Sequence, residues 1–173
     1  MNLKLDSENC PPNLFSVARL TIALLAAVGL CLASPQGEDE VSLSIISEDE
    51  ASQMIKGSLI KNLTESSRLE MGLRVNQYPE LLDSGTMVRE ANPDELEPSG
   101  VLVCRNASWL FFIDLAPGAH FAHPVIIAVL DALTGDIHYM DGQWWPVIIK
   151  PAFDSETKRR DPETIIFEKV PNF

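Results

Sequence analysis

Between Val101 and Met140 the sequence spells VLVC, SWLFFIDL, HPVIIAVLDA and DIHYM, four β-branched or aromatic segments separated by turn residues. No other feature narrows the fold as far, because short runs of this composition with turns between them build antiparallel strands. Three or four strands are expected. Val125 to Leu130 is apolar at every position, which predicts a central strand covered on both faces, or one lying beneath a helix. Thr134 and Gly135 separate it from the next run, where a glycine can take positive φ and close a hairpin. Asp131 and Asp136 flank that turn, and their short carboxylates can accept its amides.

A helix is expected before the strands. Ser47 to Glu50 reads S-E-D-E, a capping box in which the Ser47 hydroxyl accepts the Glu50 amide while the Glu50 side chain reaches back. Beyond it Ala51, Ile55, Leu59 and Leu63 recur every four residues, Met54 and Ile60 broaden the stripe, and Lys56, Lys61 and Glu65 fall off it. The spacing predicts an amphipathic helix from about 48 to 66. The stretch 68–100 carries Gly72, Pro79, Gly85, Pro93 and Pro98 and holds no period, so it is expected to be irregular, with room for one short strand or helical turn. The fold class expected is α+β: one amphipathic helix packed on a three- to four-stranded antiparallel sheet, preceded by an N-terminal hydrophobic export segment.

That export segment is Leu20 to Ala33, LTIALLAAVGLCLA, uncharged and mostly apolar directly after Arg19. It has the length of a signal-peptide core and falls short of the ~20 apolar residues of a spanning helix. Residues 1–33 are read as a signal peptide cleaved after Ala33, with an uncleaved membrane anchor held by 20–33 as the alternative. Cys31 does not make a lipidation box, since Leu30 stands where a small residue is needed. Cleavage would remove Cys10 and Cys31 and leave Cys104, which follows Val101, Leu102 and Val103 as a buried thiol would. Residues 34–40, SPQGEDE, form an acidic linker, and 151–173 is a charged tail that either covers the sheet edge or trails away.

The chain of 173 residues has 13 Lys and Arg against 25 Asp and Glu, a formal net charge of −12. Such a surface repels nucleic acid and anionic lipid at long range, so no nucleic-acid partner is expected, and a membrane enters only if the N-terminal segment stays uncleaved.

One capped helix beginning S-E-D-E-A, followed by antiparallel strands whose last hairpin reads VLDALTGDI, resembles the PepSY domain. The residues that carry the resemblance are Leu130, Asp131, Ala132, Thr134, Gly135, Asp136 and Ile137, against a family pattern of V-D-x-x-T-G-E-I. It spans about 46–140, with a longer insertion between helix and sheet than the family pattern and with GAHFAHP and WWP lying outside it. The resemblance implies a cystatin-like curled sheet around one helix, over 41–150, located outside the cytoplasm. It also implies association with metallopeptidase propeptides and regulation or inhibition of peptidases, with no catalytic residues to carry over.

Candidate chemistry gathers at two places. His120 and His123, in H-F-A-H, can share a metal only if 118–123 is a turn or loop, because residues three apart on a strand face opposite ways; Asp114 and Asp131 are candidate third ligands. The structural alternative has one histidine packing beside Trp109 or Phe121 while the other caps a backbone carbonyl before Pro124. Trp144, Trp145 and Pro146 are the candidate binding residues, tryptophan being enriched at interface hot spots. If that segment is a strand, one indole seals the core and the other stays available. Asp114 with His120, or Asp136 with His138, could be drawn as part of a hydrolytic triad, but Ser84 and Ser99 lie in loops without a nucleophile elbow. Asn62 and Asn106 match glycan acceptors, which matter only in a eukaryotic secretory pathway.

The expected function is therefore an exported, non-catalytic protein-binding domain that regulates or inhibits an extracellular peptidase by occlusion, with no cofactor. Two alternatives stay open: a small metal-dependent enzyme using His120 and His123, and a membrane-anchored structural or interaction subunit.

Overall fold

The computed structural model describes residues 44–65, 71–91 and 100–170, all within one compact unit, Val41–Phe173. The export segment, the 34–40 linker, Cys10, Cys31 and Ser99 lie outside the described residues. Among those described, no helix is long and apolar enough to cross a membrane.

The chain enters through the expected capping box. The Ser47 hydroxyl accepts the Glu50 amide at 3.4 Å, and Glu50 Oε2 accepts the Ser47 amide at 2.9 Å. This starts α1 (Glu48–Ile55), which runs on through a π-helical turn (Lys56–Ile60) into α2 (Lys61–Glu65). The π turn changes which residues face inward, because it adds a residue to the rotation. The fully buried positions are Ala51, Ile55 and Ile60, followed by nearly buried Leu63, so Ile60 takes the place the four-residue spacing assigned to Leu59. Met54 stays exposed.

Among the described residues eight strands follow: β1 (Leu73–Gln77), β2 (Met87–Glu90), β3 (Val101–Val103), β4 (Ser108–Asp114), β5 (Val125–Asp131), β6 (Ile137–Gly142), β7 (Pro146–Val147) and β8 (Ile165–Lys169), with a short helix α3 (Glu156–Arg159) before the last. They form a five-stranded antiparallel sheet in the order β6-β5-β4-β1-β8 and a three-stranded sheet in the order β3-β2-β7. The fold is α+β as expected, but the single sheet of three or four strands is corrected to two sheets. The extra strands come from segments without a clear period. β1 and β2 lie in the stretch expected to be irregular, and β8 lies in the charged tail, where it pairs with β1 and covers that sheet edge.

Strand alternation divides the core into two layers. Trp109, Phe111 and Ile113 of β4 and Ile126, Ala128 and Leu130 of β5 pack with the helix. Leu110 and Phe112 of β4 and Val125, Ile127 and Val129 of β5 pack on the opposite face with Val88, Cys104, Ala152 and Phe153. Every residue of β4 and β5 is buried because the helix covers one face and the smaller sheet with the 147–153 loop covers the other.

β1 lacks an apolar period because its alternate positions Arg74 and Asn76 are polar yet buried. Arg74 donates from Nε to Glu168 at 2.9 Å and pairs through Nη2 at 2.8 Å, while Asn76 donates to the Arg159 carbonyl at 3.0 Å and to Thr164 Oγ1 at 2.9 Å. Gln77 accepts from the Ser52 hydroxyl and donates to the Glu48 carbonyl at 3.3 Å, tying the sheet to α1. Partners from the C-terminal segment thus make a polar strand buriable.

Candidate functional site

Asp114 ends β4 almost fully buried, and its Oδ1 accepts the Ala116 amide at 2.9 Å. The same oxygen lies 3.0 Å from His123 Nε2, and His123 Nδ1 lies 2.7 Å from the Phe121 carbonyl oxygen. Each ring nitrogen thus has a protein partner, one the carboxylate and the other the carbonyl. His123 therefore caps a backbone carbonyl and pins the 116–124 loop to the sheet. His120 is exposed in the same loop. Among the described residues no three His, Cys, Asp or Glu side chains converge as a metal site, and no serine, threonine or cysteine side chain bonds a histidine. Asp131 instead serves the hairpin, far along β5.

The loop reaches the tryptophan pair. The His123 amide approaches the Gln143 carbonyl at 3.4 Å, and His120, His123, Gln143, Trp144, Trp145 and Arg159 together line a cavity of about 110 Å³. The two histidines and the two tryptophans, separate in sequence, thus share one small site. The two indoles differ in packing: Trp145 lies against the core that holds Leu110 and Phe112, and Trp144 does not. Residues 143–145 form a bend ahead of β7, so the rings meet edge to face with centroids 5.4 Å apart, and both are half-buried. Glu90 fixes that bend, its Oε1 accepting the Gln143 amide at 2.5 Å and the Trp144 amide at 3.0 Å. Pro146 is buried in β7 opposite Glu90 and is not available to a partner.

A second, larger concavity was not legible in the sequence. A groove of about 1140 Å³ lies between the 78–86 loop and the 147–153 loop, lined by Tyr78, Leu82, Met87, Ile148, Ile149 and Phe153 among others. Its floor is aromatic: Phe153 stacks on Phe112 at 5.7 Å and meets Tyr78 edge-on at 6.3 Å. Phe153 is also the non-glycine residue with positive φ, 57°, among those described, a backbone state that neighbouring structure must enforce. Ile149 is 93% exposed at the rim. Glu80 and Asp83 enter from the first loop, whereas Arg89 comes from β2 and Lys150 from the second loop. Any signal in the sequence was limited to the unpatterned Pro-rich stretches YPELLDSG and PVIIKPAF, which only the fold brings together.

Asp131, Thr134, Asp136, Asn106 and Cys104, all singled out in the sequence, serve the structure. Asp131 Oδ1 accepts the Leu133 amide at 2.9 Å and the Thr134 amide at 3.1 Å, while Thr134 Oγ1 donates to Asp136 at 2.9 Å. Asn106 donates its side-chain amide to Asp131 Oδ2 at 2.7 Å, so that glycan-acceptor nitrogen is already committed, whereas Asn62 is exposed on α2. Burial pushes the Cys104 thiol above its usual range, which disfavours the reactive thiolate.

Compared with protein-family models, curated proteins and solved structures, the chain matches none.

Proposed function

We propose that this chain is an exported, non-catalytic protein-binding domain that holds an extended segment of a partner protein in the groove between the 78–86 and 147–153 loops. The observation that carries this reading is the groove itself, a concavity of about 1140 Å³ with an apolar floor and a rim isoleucine left 93% exposed. A peptide with an apolar anchor would bury Ile149 and stack on the Phe153 floor. Its basic side chains would face Glu80 and Asp83, and its acidic ones Arg89 and Lys150. Trp144 and Trp145 are half-buried against a cavity of about 110 Å³, too small for a protein segment, so the binding role moves from them to the groove.

The partner class comes from the PepSY-like resemblance: a peptidase outside the cytoplasm, restrained by occlusion. The test compares the wild-type chain with Ile149→Asp as baits in the native extracellular fraction. Ile149 packs against little, so the variant should melt with the wild type. One peptidase recovered by the wild type and lost by the variant is the expected result. A partner held equally by both baits, or none recovered by a folded bait, overturns the reading.

A further inference from the structure

The small sheet β3-β2-β7 carries apolar side chains on both faces, and we infer that its outward face docks an extended partner segment that presents a carboxylate between two apolar side chains. The inference rests on the protein-binding reading and names what the bound segment must carry. An antiparallel sheet with one face in water ordinarily turns polar residues outward. Here Val88 and Leu102 turn toward the core. On the other face the register sets Met87 opposite Val103, and Arg89 between Val101 and Val147. Met87, Val101 and Val103 are exposed there, a contiguous apolar surface around one cation.

Arg89 decides the chemistry of the occupant. The chain has 25 Asp and Glu for 13 Lys and Arg, yet among the described residues no carboxylate pairs with this guanidinium, whose Nη2 lies 3.9 Å from Met87 Sδ. A guanidinium framed by apolar side chains is complemented by a carboxylate framed the same way, because the apolar contact excludes water from the charge-assisted bond. A second copy laid on this face about a two-fold axis through its centre would set Arg89 against its own copy, so the occupant is a different chain. Met87, Arg89 and Val147 also line the groove, whereas Val101 and Val103 lie beyond it, so a segment leaving the groove across β2 meets this row. In an extended chain, side chains two residues apart share a face at about 6.6 Å, and neighbouring strands lie about 4.8 Å apart. With an Asp or Glu on Arg89, apolar residues two positions before and two after it fall on Val101 and Val147.

The test selects a phage-displayed library of random linear peptides on the immobilised full chain and measures the affinities of the selected peptides for variants. Convergence on Asp or Glu with apolar residues two positions to either side is expected. Arg89→Gln should bind those peptides about tenfold more weakly, the loss of a hydrogen bond to a charged group. Selection on Arg89→Glu should replace the central acid by Lys or Arg. Val101→Thr combined with Val103→Thr keeps β-branching, removes apolar contact and should weaken binding several-fold, which serves if the arginine variants misfold. Ile149→Asp separates this face from the groove. Peptides weakened by Ile149→Asp but held fully by Arg89→Gln and by the double valine variant keep the groove and overturn the inference; peptides weakened by those two but indifferent to Ile149→Asp keep this face and remove the groove. Peptides without a central acid, or no convergence on a folded chain, overturn it as well. So does a dimer, seen by sedimentation, that dissociates in the double valine variant, since the face would then belong to a second copy.

Discussion

Asn106 donates to Asp131 at 2.7 Å and thereby ties the loop before β4 to the turn that joins β5 and β6. Asp131 also accepts two turn amides, so one carboxylate organises both ends of adjacent strands. Burial pushes its pKa up, but the bonds from Asn106, Leu133 and Thr134 outweigh that, and the carboxyl titrates below its usual range. A depressed folded pKa gives stability that is present above the unfolded pKa, near 4, and lost as pH falls through the folded value. Asp131→Ala should cost about 1.5–3 kcal/mol at pH 7 and progressively less below pH 4, read by urea melts across pH. Asn106→Ala should share that loss, whereas Asn62→Ala, on an exposed helix face, should stay within about 0.5 kcal/mol.

Gly135 sits in the same turn with φ 77°, and a Cβ there would lie 2.7 Å from the Met54 methyl carbon. The clash is with the end of a flexible, exposed side chain, which can move. The backbone conformation cannot be relieved that way. Gly135→Ala should therefore lose about 1–2 kcal/mol, the cost of the left-handed state for a residue with a Cβ. Adding Met54→Ala should recover only a small part of it. Full recovery in the double variant would show that crowding, not backbone strain, sets the cost.

Where local chemistry and tertiary environment agree, the sequence was readable. The Ser47–Glu50 box, the all-buried run Val125–Leu130 and the Asp131–Asp136 turn each contain their own cause within a few residues. β1 does not: Arg74 and Asn76 are buried only because partners 94 and 88 positions later come to them. The π turn hides for a different reason, since a stripe at four-residue spacing looks the same until an extra residue moves Ile60 inward. The histidines and tryptophans were visible as residue types, but their meeting depends on the His123 amide reaching Gln143 across the fold. The groove is less legible still, because two irregular loops frame it.

Cys104 offers a probe of that core. It is buried on the β4–β5 face covered by the smaller sheet, and burial raises its thiol pKa, with the bond from Ser108 pulling the other way and the Asp131 charge adding to the rise. Alkylation mapped to Cys104 by mass spectrometry should be slow in the folded chain at pH 8 and fast in urea. Rapid native labelling would mean that the small sheet opens readily from the larger one.

The C-terminal segment holds the fold together through β1. Glu156 pairs with Arg160, reaches Arg159 at 3.4 Å and Arg74 at 3.8 Å, and β8 supplies Glu168 to the same guanidinium. Ending the chain at Asp154 would remove α3 and β8 together, stranding the Arg74 charge and the Asn76 amide on a newly exposed edge. Each unpaired polar group costs about 1–3 kcal/mol where it stays buried, and the bare β1 edge can pair with another chain. The truncated protein should melt well below the full chain and aggregate, as seen by calorimetry and light scattering. Arg74→Met separates the two effects: it keeps β8, removes the guanidinium, and leaves Glu168 half-exposed with water as its partner. That variant should lose far less than the truncation and remain monodisperse. Equal losses in both would assign the stability to the ion pairs and not to the strand.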